Sequence, residues 1–291
     1  MEYILHLLIF ISIYTLLAQS LSLTAGYSGL ISLAHAGFYG IGAYTAAILS
    51  VNYSVPFLAT LPLSMLLSGL IAIVVSTISL RTVDDYFIII TLGIQVVVFS
   101  VMNNWQVLTR GPLGIPGIPS IKILGFPFDD KISFLLLSLL FVGIVWFLLN
   151  NITRSPFGRV LVALSEDEIF TKSLGKDVYK AKVISFTTSA MFASIAGVLY
   201  AHYISYIDPT SFTINESIFI LSIVIIGGMR NLLKIALAAV FLVLLPEALR
   251  FVGMPNSIAA NVRQIIYGIV LIMVIFKNSE KFKSSSSFYK P

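Results

Sequence analysis

Residues able to do chemistry are scarce in this 291-residue chain, where Asp, Glu, Lys and Arg together make up only 11%. Six of those charges crowd into thirteen residues, SEDEIFTKSLGKD at 165–177, as three consecutive acids followed by two lysines and an aspartate. Ser165-Glu166-Asp167-Glu168 fits the S-x-x-E capping box: the serine hydroxyl takes the N3 amide and the glutamate returns to the cap amide. The acids suit the positive end of a helix dipole, and Gly175 suits a left-handed stop after Leu174. The spacing predicts a helix over 166–174. So short a helix is marginal alone in water. It needs a surface, and Ile169, Phe170 and Leu174 supply the apolar contacts. The alternative is an amphipathic helix lying on lipid, which three leading acids disfavour at an anionic leaflet.

The other reactive side chains form no constellation. His6, His35 and His202 are far apart and lack metal or haem spacing. Cysteine is absent, which excludes disulfides, thiolate nucleophiles and Cys-ligated metals. No GxxxxGK[ST] run is present, so the chain does not cradle ATP in the P-loop manner. Glu247 and Arg250 read as a structural ion pair beside a kink at Pro246, and Asp208-Pro209 as an external turn. No catalytic residue, metal site or cofactor is expected.

The elements that must position the polar loop are apolar blocks. The chain is 58% hydrophobic, in blocks about 17–23 residues long, which match the ~30 Å hydrocarbon core at 1.5 Å per residue. In lipid such blocks must be helices, because every backbone N–H has to be satisfied internally. They lie near 4–23, 57–79, 86–102, 131–150, 183–204, 213–229, 232–249 and 260–277, with a glycine-rich segment at 26–52. The expected fold is all-α, a single polytopic membrane bundle of eight to nine spans over 1–291. The start, MEYILHLLIF, has no basic n-region and no cleavage site, and reads as a retained helix.

Basic residues orient the bundle. Loop 151–182 holds Arg154, Arg159, Lys172, Lys176, Lys180 and Lys182, and the tail 278–291 and its approach hold Lys277, Lys281, Lys283 and Lys290. Both are cytoplasmic by the positive-inside rule, which also accounts for the net charge of +5 without nucleic acid. The runs 103–130 and 206–212 then face outside.

Segment 26–52 admits two readings. GYSGLISLAHAGFYGIGAYTAAIL has glycines at 26, 29, 37, 40 and 42. Either it crosses fully, or its first part is a re-entrant half-helix, the favoured version. Glycine also lets backbones approach closely, so tight helix contact competes with a role in lining a pathway. Gly26, Gly29, Ser32, His35, Gly37, Gly40 and Gly42 are the pathway or gate residues on the second view. For His35 a buried hydrogen bond to a neighbouring helix is preferred over lining.

That segment resembles the signature of permease subunits of branched-chain amino acid ABC transporters, the LivM-like branch. LRTVDDYFIIITLG at 80–93, NNWQVLTRGPLGIPGIP at 103–119, the long run 154–212, VIIGGM at 224–229 and LPEALR at 245–250 are similar in the same order. One departure stands out: after GGM the family continues with small residues, whereas this chain has RNLLK, with Arg230 and Lys234. The resemblance implies an importer-type bundle in the plasma membrane of a prokaryote, one that pairs with a LivH-like second permease. It implies two cytoplasmic ATPase subunits and an extracytoplasmic substrate-binding protein as further partners. It also implies that Ser165–Gly175 is the coupling helix, seated in a groove of the ATPase. A related permease for urea, amides or sugars is the alternative. An ion-coupled carrier is disfavoured, because apart from His35 essentially no ionisable residue lies well inside a span.

Overall fold

The computed structural model describes residues 2–80, 84–123 and 125–251, with positions 265, 268, 269 and 272 beyond them. The rest of the span expected at 260–277, the tail 278–291 and the Arg250 side chain lie outside the described residues. Apolar blocks become helices: α1 (Glu2–Ser22), α2 (His35–Tyr53), α3 (Phe57–Ser79), α4 (Asp84–Asn104), the short α5 (Gln106–Thr109) and α6 (Lys131–Arg154). After these come α7 (Pro156–Glu166), α8 (Glu168–Ser173), α9 (Val178–Ile204), α10 (Ile214–Gly227) and α11 (Leu232–Phe251).

Among the described residues, five helices are long and apolar enough to cross a membrane, Glu2–Tyr27, Phe57–Ser79, Tyr86–Asn104, Lys131–Arg154 and Val178–Ile204. Of the other blocks behind the expected eight to nine spans, the glycine-rich α2 and the short α10 are not among those five. With 14 residues, α10 rises about 21 Å, short of the ~30 Å core.

The bundle has an inner and an outer layer. α2 packs along α9, with α1 and α3 also against α9, and α6, α10 and α11 around α1. The most apolar stretch of α9 is 67% buried, whereas that of α4 is 22% buried. Outer helices expose Leu66, Leu70, Ile89, Val97, Leu136 and Phe147, the surface that lipid requires. Several inner hydroxyls are satisfied within their own helices: Ser12, Ser20, Ser22 and Thr24 each donate to the carbonyl three residues earlier.

Contacts define two ends. At one, Lys131 pairs with Glu2 (2.9 Å), so α1 and α6 start together. The same end gathers the run after α4, where β1 (Ile115–Pro116) pairs antiparallel with β4 (Tyr206–Ile207), and β2 (Lys122–Ile123) pairs with β3 (Phe126–Pro127). Gly117 and Ile118 N–H both donate to Ser205 O, so the Gly-Pro run straps the end of α9. Asp208 caps the 3-10 turn Pro209–Phe212 by accepting from Ser211 N–H. At the other end lie the close of α1, α7, α8 and the α10–α11 turn.

Segment 26–52 combines parts of both sequence readings. It is interrupted, but it does not return to the end it left. α1 reaches the second end at Tyr27, and α2 runs from the bundle interior to pack against 206–212 at the first. There the chain turns at Ser54, in a left-handed conformation, into α3, whose Phe57 ring lies 5.6 Å from that of His202 near the end of α9.

Candidate functional site

The interruption sits where two helices fail to join. α1 widens into a π turn, Leu23–Tyr27, closed by Ser28 N–H to Leu23 O at 3.2 Å. Residues 28–34 have no regular structure, so their backbone groups need other partners inside the bundle. Leu30 N–H donates to Thr24 O (2.9 Å), Leu33 N–H to Thr91 Oγ1 (3.1 Å) and Ala34 N–H to Ser32 Oγ (3.2 Å). Ser28 Oγ and Ser185 Oγ stand 2.5 Å apart, and both reach Leu23 O.

α2 begins with Ala34 at its N-cap, which has no side chain able to accept. The orphan amides are capped from other helices. Ala36 N–H donates to Ser217 Oγ on α10 (2.9 Å), and Gly37 N–H to Gln95 Oε1 on α4 (2.7 Å). Gln95 is held in turn by its Nε2 donating to Phe212 O at 2.8 Å. His35 Nε2 lies 2.8 Å from Ser20 Oγ and 3.2 Å from Leu17 O on α1, the buried hydrogen bond preferred from sequence. Gln95, Ser217 and Thr91 escaped sequence reasoning. The one signal for Thr91 and Gln95 was a polar side chain within an apolar run, and Ser217, next to Asn215 and Glu216, had none.

The signature glycines meet protein at close range. A Cβ on Gly26 would overlap the Met229 carbonyl. On Gly40 it would stand 2.8 Å from Met102 Cε and 2.9 Å from Phe212 Cγ, and on Gly42 2.6 Å from Ser194 Cα. On Gly37 it would reach Gln95 Oε1 at 3.0 Å. At these four positions an added side chain would meet neighbouring protein. Gly29 is different: its φ is +71°, which glycine adopts without strain, and it lies against Ser165.

The polar loop departs from the expected capping box. Ser165 belongs to the last turn of α7, where its Oγ donates to Val162 O (2.7 Å). Asp167 is the cap instead: its backbone is extended, and Oδ1 accepts from Phe170 N–H at 2.8 Å. Glu168 pairs with Lys182 Nζ at 2.5 Å and does not return to the cap. The helix therefore covers Glu168–Ser173, shorter than 166–174. The reason is that Ser155, followed by Pro156, starts α7 upstream by accepting from Gly158 N–H (3.3 Å), and α7 then runs through Ser165. Gly175 follows α8 with φ +74°. Ile169, Phe170 and Leu174 are all more than half exposed.

Arg230, the departure in the α10–α11 turn, joins the two parts. Its Nε donates to Gly26 O (2.9 Å), Nη2 to Ser165 Oγ (2.7 Å) and Nη1 to Glu166 Oε1 (3.2 Å). Tyr27 Oη donates back to Arg230 O at 2.7 Å. Neither cation opens the turn: a Cβ on Gly227 would sit 2.5 Å from Ile235 Cα, and Lys234 N–H is capped by Asn231 Oδ1 (3.1 Å).

A lipid-exposed bundle around an interrupted central helix, with a polar loop at one end, is a multi-pass helical membrane protein. The chain belongs to the branched-chain amino acid transport system / permease component family, whose model matches residues 3–275. It is 38% identical over 261 residues to the high-affinity branched-chain amino acid transport system permease protein LivM of Salmonella typhimurium (strain LT2), covering 82% of this chain and 61% of the relative. It is 37% identical, with the same coverage, to the LivM protein of Escherichia coli (strain K12). A probable LivM protein of Methanocaldococcus jannaschii is 23% identical over 314 residues, covering 93% of this chain and 90% of the relative. The chain thus spans about 61% of the length of the two enterobacterial relatives. No solved structure matches it.

Proposed function

We propose that this chain is one permease subunit of an ATP-driven importer of branched-chain amino acids, supplying half of the translocation pathway beside a LivH-like second permease. Two ATPase subunits bind at the end carrying α7 and α8, and a substrate-binding protein docks at the end carrying β1–β4. The family match supports the class. The observation that carries the coupling role is the exposure of Ile169, Phe170 and Leu174 on a short polar element outside the apolar bundle. Such side chains need cover, and lipid is a poor one for a segment led by acids.

Charge supports the orientation. The α7–α8 end holds Arg154, Arg159, Lys172, Lys176, Lys180 and Arg230, whereas the other end holds Arg110, Lys122 and Lys131. The positive-inside rule makes the first cytoplasmic. Met1 then lies outside, and with a final crossing at 260–277 the chain has nine spans and a cytoplasmic C-terminus. The whole of 1–291 acts as one permease domain, with 151–182 as the coupling loop and 278–291 as a cytoplasmic tail. The glycine segment Gly26–Gly42, including Ser32 and His35, forms the gate through the movement of its unwound part.

The test is to co-express the chain with its ATPases and second permease and measure uptake of leucine, isoleucine and valine in proteoliposomes supplied with the binding protein. ATP-dependent uptake that needs all the subunits is expected. Uptake by the chain alone would overturn the importer reading, and a binding protein that takes only urea, amides or a sugar would overturn the substrate class.

A further inference from the structure

We propose that Arg230 is a positioning residue for coupling, a clamp that fastens the acidic loop 165–168 to the unwound end of α1, so that loop displacement reaches residues 23–29 directly. The proposal rests on the reading of α8 as the coupling helix. One planar guanidinium donates to two elements at once: to Ser165 and Glu166 on α7, and to the Gly26 carbonyl in the π turn. The π turn ends α1: Leu23 O and Thr24 O accept from Ser28 and Leu30 N–H, whereas Gly26 O, at the negative end of the helix dipole, accepts from Arg230. A cation is the fitting cap there. The turn is also seated without slack, because Met229 touches Gly26 where no Cβ fits and Tyr27 Oη returns to Arg230 O.

A second tie ends at the same place. Glu168 pairs with Lys182 in the first turns of α9. One turn further on, Ser185 Oγ lies 2.5 Å from Ser28 Oγ and donates to Leu23 O at 3.2 Å. Gly29 rests on Ser165 itself, with its Cβ position 3.2 Å from Ser165 Cβ. Both flanks of the acidic run are thus fastened to the π turn and the break after it. The Arg230–Glu166 pair is half exposed, and such pairs contribute little to stability. Its geometry suits transmission.

The experiment uses the full complex in proteoliposomes and reads substrate transported per ATP hydrolysed, together with hydrogen exchange of 23–34 with and without ATP. Arg230→Ala is expected to lower transport per ATP at least about fivefold, the low end of ordinary coupling strengths, and to abolish the ATP-dependent change in exchange at 23–34. Arg230→Lys should be intermediate, because an ammonium cannot span both elements. If Arg230→Ala fails to assemble, Glu166→Gln, at an exposed carboxylate, should lower the same ratio by a smaller factor. Full transport per ATP in either assembled variant overturns the clamp. Phe170→Asp separates the two ideas: ATPases that still co-purify with it sink the coupling-helix reading. If they are released while Arg230→Ala couples normally, the clamp alone fails.

Discussion

Gly42 and Gly197 meet where α2 crosses α9, so closely that a Cβ on Gly197 would stand 3.1 Å from the Gly42 carbonyl carbon and 2.7 Å from Ala43 N. The contact is reciprocal, since Gly42 faces the Ser194 backbone. Backbone cannot swing aside as a side chain does. Gly197→Leu is therefore expected to separate the two central helices and cost at least about 1–3 kcal/mol, as overpacking does. Size-exclusion profiles and melting in detergent check this. Gly143, on α6, has nothing within 4 Å of its Cβ position, and Gly143→Ala should be neutral or stabilise by up to about 1 kcal/mol.

Gly40 faces the flexible end of Met102, which can move aside, and the base of the buried Phe212 ring, which moves only with 209–212. Gly40→Leu is expected to insert and assemble with the other subunits yet lose uptake, because α2 must shift against 209–212. The measurement is co-purification of the complex beside uptake. Normal uptake would remove this segment from the gate.

The start of α2 depends on two side chains from other helices. Ser217→Ala leaves Ala36 N–H without its 2.9 Å acceptor, and a buried unsatisfied amide costs about 1–3 kcal/mol. Gln95→Leu removes the 2.7 Å acceptor of Gly37 N–H, which keeps Ala34 O at 3.0 Å, and should cost less. Each should lower the melting temperature, and the double variant should lose less than the sum of the two, since Ser217 Oγ and Gln95 Oε1 are themselves in contact. A strictly additive double variant would count against a shared cap.

Asp167 and Ser165 separate by function. Asp167→Ala removes the α8 cap and should cost about 0.5–2 kcal/mol locally, read as faster hydrogen exchange at Phe170 and Thr171. Ser165→Ala leaves α8 intact and removes one Arg230 contact. Equal exchange at Phe170 in wild type and Asp167→Ala would return the cap to Ser165.

The sequence by itself determined that the chain is a helical membrane bundle, where most of its helices lie, and that one acidic loop stands apart; it left the glycine segment open between a full crossing and an interrupted one. These follow from local physics: block length against bilayer thickness, helix periodicity, and the scarcity of charge. The family resemblance was legible for the same reason, in contiguous motifs. What only the tertiary structure decided are choices between equally good local options, and contacts between distant residues. Ser165 and Asp167 are both sound caps two residues apart, and the choice fell to Asp167 because α7 consumed Ser165. Gln95 and Ser217 cap amides 58 and 181 residues away, and Arg230 reaches Gly26 across 204. No periodicity records such pairings. They arise because the break between α1 and α2 leaves backbone groups that must be satisfied inside an apolar bundle, and only the folded neighbours can supply the partners.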